Sequence, residues 1–268
     1  MLRIATANAA SGRSPSPASG HAKDPGDWAL DDWAHDAAAL DLDLLAVQEV
    51  DHLLPRSGHA DQTAAVAQAL AAGSDPWHAR FAAAVHGTPG NAATMRPAPA
   101  TVGEEPSYGV ALLSRHPVEQ WGEHRMAASA VRIPVRNPSW TDEERVVVAD
   151  EPRVALAARV LAPGGPVTVV TTHLSFVPWR AGAQLRELVA WARALPRPLV
   201  LLGDLNLPAS VASRLTGWSR VPTGPTYPAQ RPVARLDHVL LDGCTAEEAG
   251  TVRLAGADHL AVRATVRW

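Results

Sequence analysis

The stretch Leu199-Val200-Leu201-Leu202-Gly203-Asp204-Leu205-Asn206 constrains the fold more than any other. Four branched aliphatic residues in a row, entered through Pro196 and Pro198, suit a central strand covered on both faces, where polar alternation is unnecessary. Gly203 lets the backbone turn close to a bulky neighbour. Asp204 and Asn206 stand two apart, so in an extended segment their side chains leave the same face and reach one ligand together. The plain alternative is a strand closed by an Asx turn. The choice between them turns on how many other strands end in the same way.

Several do. Leu2 to Ala7 reads as a strand ending in Asn8, with Ser11 and Gly12 beyond it. Residues 13 to 27 read as a Ser/Pro/Gly-rich loop, and Asp27 caps an expected helix to about Leu40 with Leu30, Trp33, Ala37 and Leu40 on one stripe. Asp43 to Asp51 is a short buried strand with an acidic end. Ala64 to Ala72 is a second helix, between Asp61 and Gly73. Strands are expected at Trp77 to Val85 and Tyr108 to Arg115, with irregular segments at Gly87 to Ser107 and Ile133 to Val146. Arg153 to Leu161 and Val167 to Thr172 flank Pro163-Gly164-Gly165-Pro166 as a hairpin, whose second arm runs into His173. A helix over Arg180 to Leu195 leads into the Leu199 strand, and Arg235 to Leu241 and Leu260 to Val266 close the chain. Strands joined by helices in some places and hairpins in others imply a mixed α/β fold, whose polar strand ends collect around one crevice.

Composition narrows the setting. A length of 268 residues accommodates a single domain over 1–268, and with 47% hydrophobic residues the core can be substantial. No apolar run approaches the roughly 18 residues that cross a bilayer. The chain opens directly on a strand without the regions of a signal peptide, so a cytoplasmic location is expected; separately, a monomer is expected. The single cysteine, Cys244, excludes an internal disulfide. A net charge of -3, with Lys23 the only lysine, argues against a broad duplex-binding surface. A small anionic substrate held by a few arginines and a metal ion suits this balance better.

The strand-end candidates are Asn8, Glu49, His173, Asp204, Asn206, Asp237 and the pair Asp258-His259. Carboxylates and carboxamides with no cysteine nearby are hard oxygen donors, suited to Mg2+ or Mn2+ rather than to structural zinc. The histidines can serve as acid, base or phosphate contact.

The pieces Thr6-Ala7-Asn8, Gln48-Glu49-Val50-Asp51, Gly109 to Arg115, Thr172-His173-Leu174, Gly203 to Asn206, Leu236 to Val239 and Asp258-His259-Leu260 resemble, in order, the endonuclease/exonuclease/phosphatase superfamily with its pancreatic-DNase-like fold. The resemblance implies a four-layer α/β sandwich: two facing mixed β-sheets flanked by helices, with the active site at one end. It implies that Glu49 is the principal metal ligand, with Asn8 on the metal or the phosphate and Asp258 assisting. Asp204 would orient and deprotonate the attacking water, and Asn206 would donate to a phosphate oxygen. His259 would be held by Asp237. His173 would contact phosphate or protonate the leaving group. Arg56, Ser57 and Arg153 match positions with a substrate role, against a salt bridge as the competing reading. Asp51 is open between surface acid and ligand, and His238 reads as structural because it points away from Asp237. The implied activity is metal-dependent phosphoester hydrolysis, foremost of a phosphodiester. A nuclease acting on DNA or RNA, an enzyme for a small molecule or lipid head group, and a silent binding protein are the alternatives, with segments 87–107 and 133–150 expected to set the choice.

Overall fold

The computed structural model describes residues 1–12, 30–72, 75–91, 93–101, 103–136 and 145–268. In chain order the elements are β1 (Leu2–Asn8), α1 (Leu30–Ala38), β2 (Leu44–His52), α2 (Gln62–Leu70), β3 (His78–His86), β4 (Arg96–Pro97), β5 (Ser107–Ser114) and β6 (Val118–Met126). There follow β7 (Arg132–Arg136), β8 (Arg145–Ala149), β9 (Arg153–Ala162), β10 (Gly165–His173), α3 (Pro178–Ala192), β11 (Leu199–Asp204), α4 (Ala209–Thr216), β12 (Ser219–Arg220), β13 (Asp237–Asp242), β14 (Thr245–Val252) and β15 (Ala261–Arg267). One sheet runs β14-β15-β1-β2-β5-β3-β4 and the other β12-β13-β11-β10-β9-β6, with β7 and β8 forming a separate ribbon. Both sheets are mixed. The parallel pairs β1/β2 and β10/β11 are the ones whose crossovers carry α1 and α3, since parallel neighbours need a long return path.

Side-chain parity sorts the core into three layers of contact. Ile4, Leu44, Leu112, Leu156, Val169, Val200 and Leu202 meet between the sheets. Ala5, Leu45 and Val47 pack under α1 and α2, with Trp33 and Val66 among them. Leu199, Leu201 and Leu240 pack under α3 and α4 with Leu185, Leu188 and Ala212. The result is the four-layer sandwich, helices outside and sheets facing. It also explains the unbroken apolar run at 199–202, because Val200 and Leu202 face the other sheet while Leu199 and Leu201 face helix α3.

The helices begin where capping dictates. Asp61 accepts from Ala64 N at 3.0 Å, so α2 starts at Gln62, two residues before the apolar stripe. Helix α3 starts at Pro178, whose missing N–H costs nothing in a first turn. The cap expected at Asp27 lies outside the described residues. No helix among the described residues is long and apolar enough to cross a membrane.

Two segments read as irregular contain strands. Residues 133–146 overlap the β7/β8 ribbon, in which Pro134 stands opposite Val147; a ribbon outside the main sheets tolerates a residue with no N–H to donate. Within 87–107, the two residues of β4 pair with Val85 and His86 at the sheet edge. Strands β6 and β14 and helix α4 escape sequence reading for a common reason. The two strands lie at sheet edges and carry polar residues on partly exposed faces, and α4 spans only eight residues.

Candidate active site

Pairing register places the chemistry. Along the second sheet His173 stands opposite Asp204 and Asp204 opposite Asp237, so three adjacent strands β10, β11 and β13 present one row at one sheet end. Asp204 continues the parity of Val200 and Leu202, and Asp237 that of Val239 and Leu241, so both point between the sheets. Gly203 makes the row possible: with φ at 148° and a would-be Cβ only 2.1 Å from Thr172 O, no larger residue fits between β10 and β11. From the facing sheet, Asn8 ends β1 on the face of Ile4 and Thr6. Its Oδ1 accepts from Ala10 N at 2.9 Å, an Asx turn that leaves Nδ2 free to point into the crevice.

Glu49 arrives by a different device. On β2, Leu45 and Val47 face the helices, and strict alternation sends Glu49 with them. The β2/β5 register slips between Gln48 and Val50, making Glu49 the extra residue of a bulge, with φ of 56°. Gln48 keeps the inter-sheet face, where its Nε2 donates to Thr171 Oγ1 at 3.0 Å, and Val50 resumes the helix face. Glu49 is thereby turned toward Asn8, whose Nδ2 donates to Glu49 Oε1 at 3.1 Å. The bulge sits opposite Gly109, where a Cβ would lie 1.9 Å from Ala82 O.

The two halves meet at Asp204. Its Oδ1 accepts from Asn206 N at 3.0 Å, which fixes the carboxylate and leaves Oδ2 facing Asn8 Nδ2 at 3.5 Å, His173 Nε2 at 3.6 Å and His259 Nδ1 at 3.8 Å. Burial and then the neighbouring Asp237 charge push the Asp204 carboxyl up to about 7. His259 donates from Nδ1 to Asp237 Oδ2 at 2.8 Å. Burial opposes its charge, but Asp237 and Asp204 outweigh it and raise the imidazole to about 10, so it is cationic at neutral pH. His173 is the reverse: burial first, and then the Arg153 charge, lowers it to about 3. Asn206 donates from Nδ2 to Leu174 O at 3.0 Å and faces His173 Nε2 at 3.3 Å, so the partner expected to reach phosphate presently spends its amide protons inside the protein.

Of the other expected residues, Asp258 precedes His259 and contributes to raising it. Arg56 pairs with Asp51 through two contacts of 2.8 and 2.7 Å and donates to Ser11 Oγ at 2.9 Å. The salt-bridge alternative for Arg56 is therefore the arrangement seen, and Asp51 is fully buried within it rather than a surface acid. The Ser57 hydroxyl closes a local turn by donating to Leu54 O at 2.9 Å. Arg153 is buried beside Glu151 at 3.3 Å, close enough to the site to act on His173. His238 points to the helix side and its ring contacts Leu207 O at 2.8 Å, away from the crevice. One residue at the site went unread. Tyr227 packs its ring 4.7 Å from the His259 ring, and nothing in the stretch Thr226 to Arg235 beyond its Pro-rich composition signals a wall of the site.

A family model for the Endonuclease/Exonuclease/phosphatase family matches residues 5–259. The chain belongs to that family. Among solved structures, the endonuclease/exonuclease/phosphatase from Beutenbergia cavernae is 25% identical, with a TM-score of 0.66 over 99% of this chain and 71% of that one. A mannosyl-6-phosphatase from Bacteroides thetaiotaomicron superposes at 0.60 and 13% identity over 100% of both chains. D. rerio TDP2 complexed with a single-strand DNA product superposes at 0.55 and 15% over 100% and 99%. No curated protein is similar enough in sequence to count as a match.

Membership in the endonuclease/exonuclease/phosphatase family implies phosphoester chemistry with a divalent metal, and the donor set fits one. Ligand-capable atoms of Asp204, Asp237 and His259 lie within 4.8 Å of one another, and Asp204 is raised partly because Asp237 crowds it with like charge. The charge of Glu49, on the other side of Asn8, raises Asp204 as well, and a hard cation held by Glu49 would relieve that crowding without taking Asp204 as a ligand. Because His259 Nδ1 is engaged by Asp237, oxygens rather than this nitrogen are the natural ligands.

Proposed function

We propose that this chain is a metal-dependent phosphodiesterase that hydrolyses its substrate by in-line attack of an activated water. The observation that carries the reading is Asp204 Oδ2, a buried carboxylate oxygen pinned through its partner oxygen and facing Asn8, His173 and His259 within 3.5 to 3.8 Å. A buried carboxylate whose proton affinity is raised by burial is suited to removing a proton from water. Glu49, with Asn8 and Asp258, would hold Mg2+ or Mn2+, which supplies Lewis-acid polarisation of a phosphoryl oxygen when bound. Cationic His259, oriented by Asp237, stabilises negative charge growing on the phosphoryl oxygens. Asn206 offers the amide proton that now faces His173 to a phosphoryl oxygen while keeping the other on Leu174 O, and the proton that Asp204 takes from water passes through His173 Nε2, 3.6 Å away, to the leaving-group oxygen. Arg153 contributes positive potential from behind His173.

Relatives of this fold include a phosphatase of a phosphorylated sugar and a protein holding single-strand DNA, so bond type is the property to measure first. The purified protein is assayed with Mn2+ or Mg2+ against bis(p-nitrophenyl) phosphate, p-nitrophenyl phosphate and single-strand DNA. Metal-dependent cleavage of the diester ahead of the monoester is expected, with DNA cleavage marking the nuclease branch. Unchanged turnover in excess chelator, or preference for the monoester, contradicts the proposal.

A further inference from the structure

The turn that follows His173 is fastened from four sides. Leu174 N donates to Asp204 O at 3.0 Å, and Leu174 O receives the Asn206 amide at 3.0 Å. Ser175 N donates to the Gln184 side chain of α3 at 2.8 Å, and Ser175 Oγ donates to Asp150 Oδ1 at 2.6 Å. Ser175 Oγ also accepts from Val177 N at 3.2 Å, which shapes the entry to α3. Asp150 itself lies outside both main sheets, in the connection between β8 and β9. Its second oxygen accepts from Ser129 N at 2.8 Å and Ser129 Oγ at 2.6 Å, and the Arg180 guanidinium stands 3.5 Å away. Although burial opposes its charge, the hydrogen bonds from Ser129 and Ser175 keep the carboxyl below its ordinary range, so it is an anion in place.

We propose that Asp150 is a positioning residue for catalysis: through Ser175 it fixes the Leu174 carbonyl, and through that carbonyl it fixes the Asn206 amide. The chain of contacts is Asp150 Oδ1 to Ser175 Oγ, the peptide linking Ser175 to Leu174, and Leu174 O to Asn206 Nδ2. One proton of that amide is held by Leu174 O. The direction of the other, now toward His173 Nε2 at 3.3 Å, is thereby set for a phosphoryl oxygen. Asp150 touches neither substrate nor the proposed metal ligands in any contact described; apart from a charge interaction with Arg153, which Ser175→Ala leaves in place, its effect is on orientation. A shift of a fraction of an ångström in such a donor is enough to lower turnover substantially. The same carboxylate ties the base of the β7/β8 ribbon, through Ser129, to the start of α3, through Arg180. The ribbon and the catalytic turn therefore share one anchor.

The inference rests on the hydrolase reading of the site and is tested within it. Ser175→Ala deletes one buried hydroxyl with almost no change of volume, and Asp150→Asn keeps the shape but removes the charge and leaves one acceptor oxygen for two sides, so its amide opposes either the donors of Ser129 and Arg180 or the hydroxyl proton of Ser175. Both are assayed on bis(p-nitrophenyl) phosphate with Mn2+, alone and combined with Asn206→Ala. Each is expected to lower kcat roughly tenfold while KM and Mn2+ affinity stay within about twofold, and to cost almost nothing further once Asn206 is alanine. Unchanged kcat in Ser175→Ala, or the same tenfold loss with and without the Asn206 side chain, overturns the proposal. If Ser175→Ala does not fold, the same two outcomes are read from Asp150→Asn; failure of both to fold makes the anchor structural and likewise overturns it. A parent protein with no metal-dependent turnover defeats the hydrolase reading instead, which keeps the two failures distinct.

Discussion

At the scale of single residues, the site is a division of labour between two buried histidines with opposite charge states. His259 carries its proton because Asp237 and Asp204 outweigh burial, whereas His173 lies beside Asp204 yet stays neutral because burial and Arg153 prevail. Asp237 should therefore act as a unit with His259 and not with His173. In a double-mutant cycle on kcat, Asp237→Asn combined with His259→Ala should cost little beyond His259→Ala alone, while Asp237→Asn and His173→Ala should combine near additively. Full multiplication of the Asp237 and His259 losses would assign Asp237 another partner. Asp204 and Asn206 were legible in the sequence as polar residues at the tip of an apolar run, but the chain there closes in the Asx turn, with Asn206 N on Asp204 Oδ1 and φ of 50° at Asn206, instead of continuing extended. The internal engagement of the Asn206 amide and of Arg56 was not legible, since Leu174 and Asp51 meet them only through tertiary contacts.

At the scale of elements, the decisive feature is a bulge. The strands β1, β2, β5, β10, β11 and β13 were readable from apolar runs ending in polar residues, and their order gave the mixed sheets. The aim of Glu49 was not, because alternation along β2 points it at the helices and only the slipped register against β5 turns it inward. That slip depends on Gly109, pressed against Ala82 O by register breaks on both neighbouring strands. Gly109→Ala should destabilise the fold by roughly 1–3 kcal/mol, the ordinary cost of overpacking, and weaken Mn2+ binding by disturbing Glu49. Chemical denaturation and metal titration measure both. Parent-like stability and affinity would remove the bulge from the account. Edge strands β6 and β14 stayed hidden because solvent-facing polar residues leave them without an apolar signature.

At the scale of the whole molecule, burying neutral imidazoles links folding to pH. His238 is fully buried and burial lowers it from 6.5 to about 4. Between those values the unfolded chain binds the proton and the folded chain does not. The contribution to stability is therefore complete above about pH 6.5 and is lost as pH falls through about 4. Replacing His238 with Asn should flatten that acid limb by on the order of 3 kcal/mol. Equal slopes for parent and variant in urea unfolding between these pH values would exclude His238 as the cause.

The proposed hydrolysis in the crevice between the sheets depends on Asp204 as its base. The direct measurement is kcat of Asp204→Asn on bis(p-nitrophenyl) phosphate at saturating Mn2+, alongside its melting temperature. Asparagine still accepts from Asn206 N, and relief of the crowding with Asp237 offsets loss of the charge that faces His259, so the variant should melt close to the parent. Its kcat should fall by about 10² or more, as expected when a general base is removed. A folded variant that retained kcat within about threefold of the parent would contradict the account.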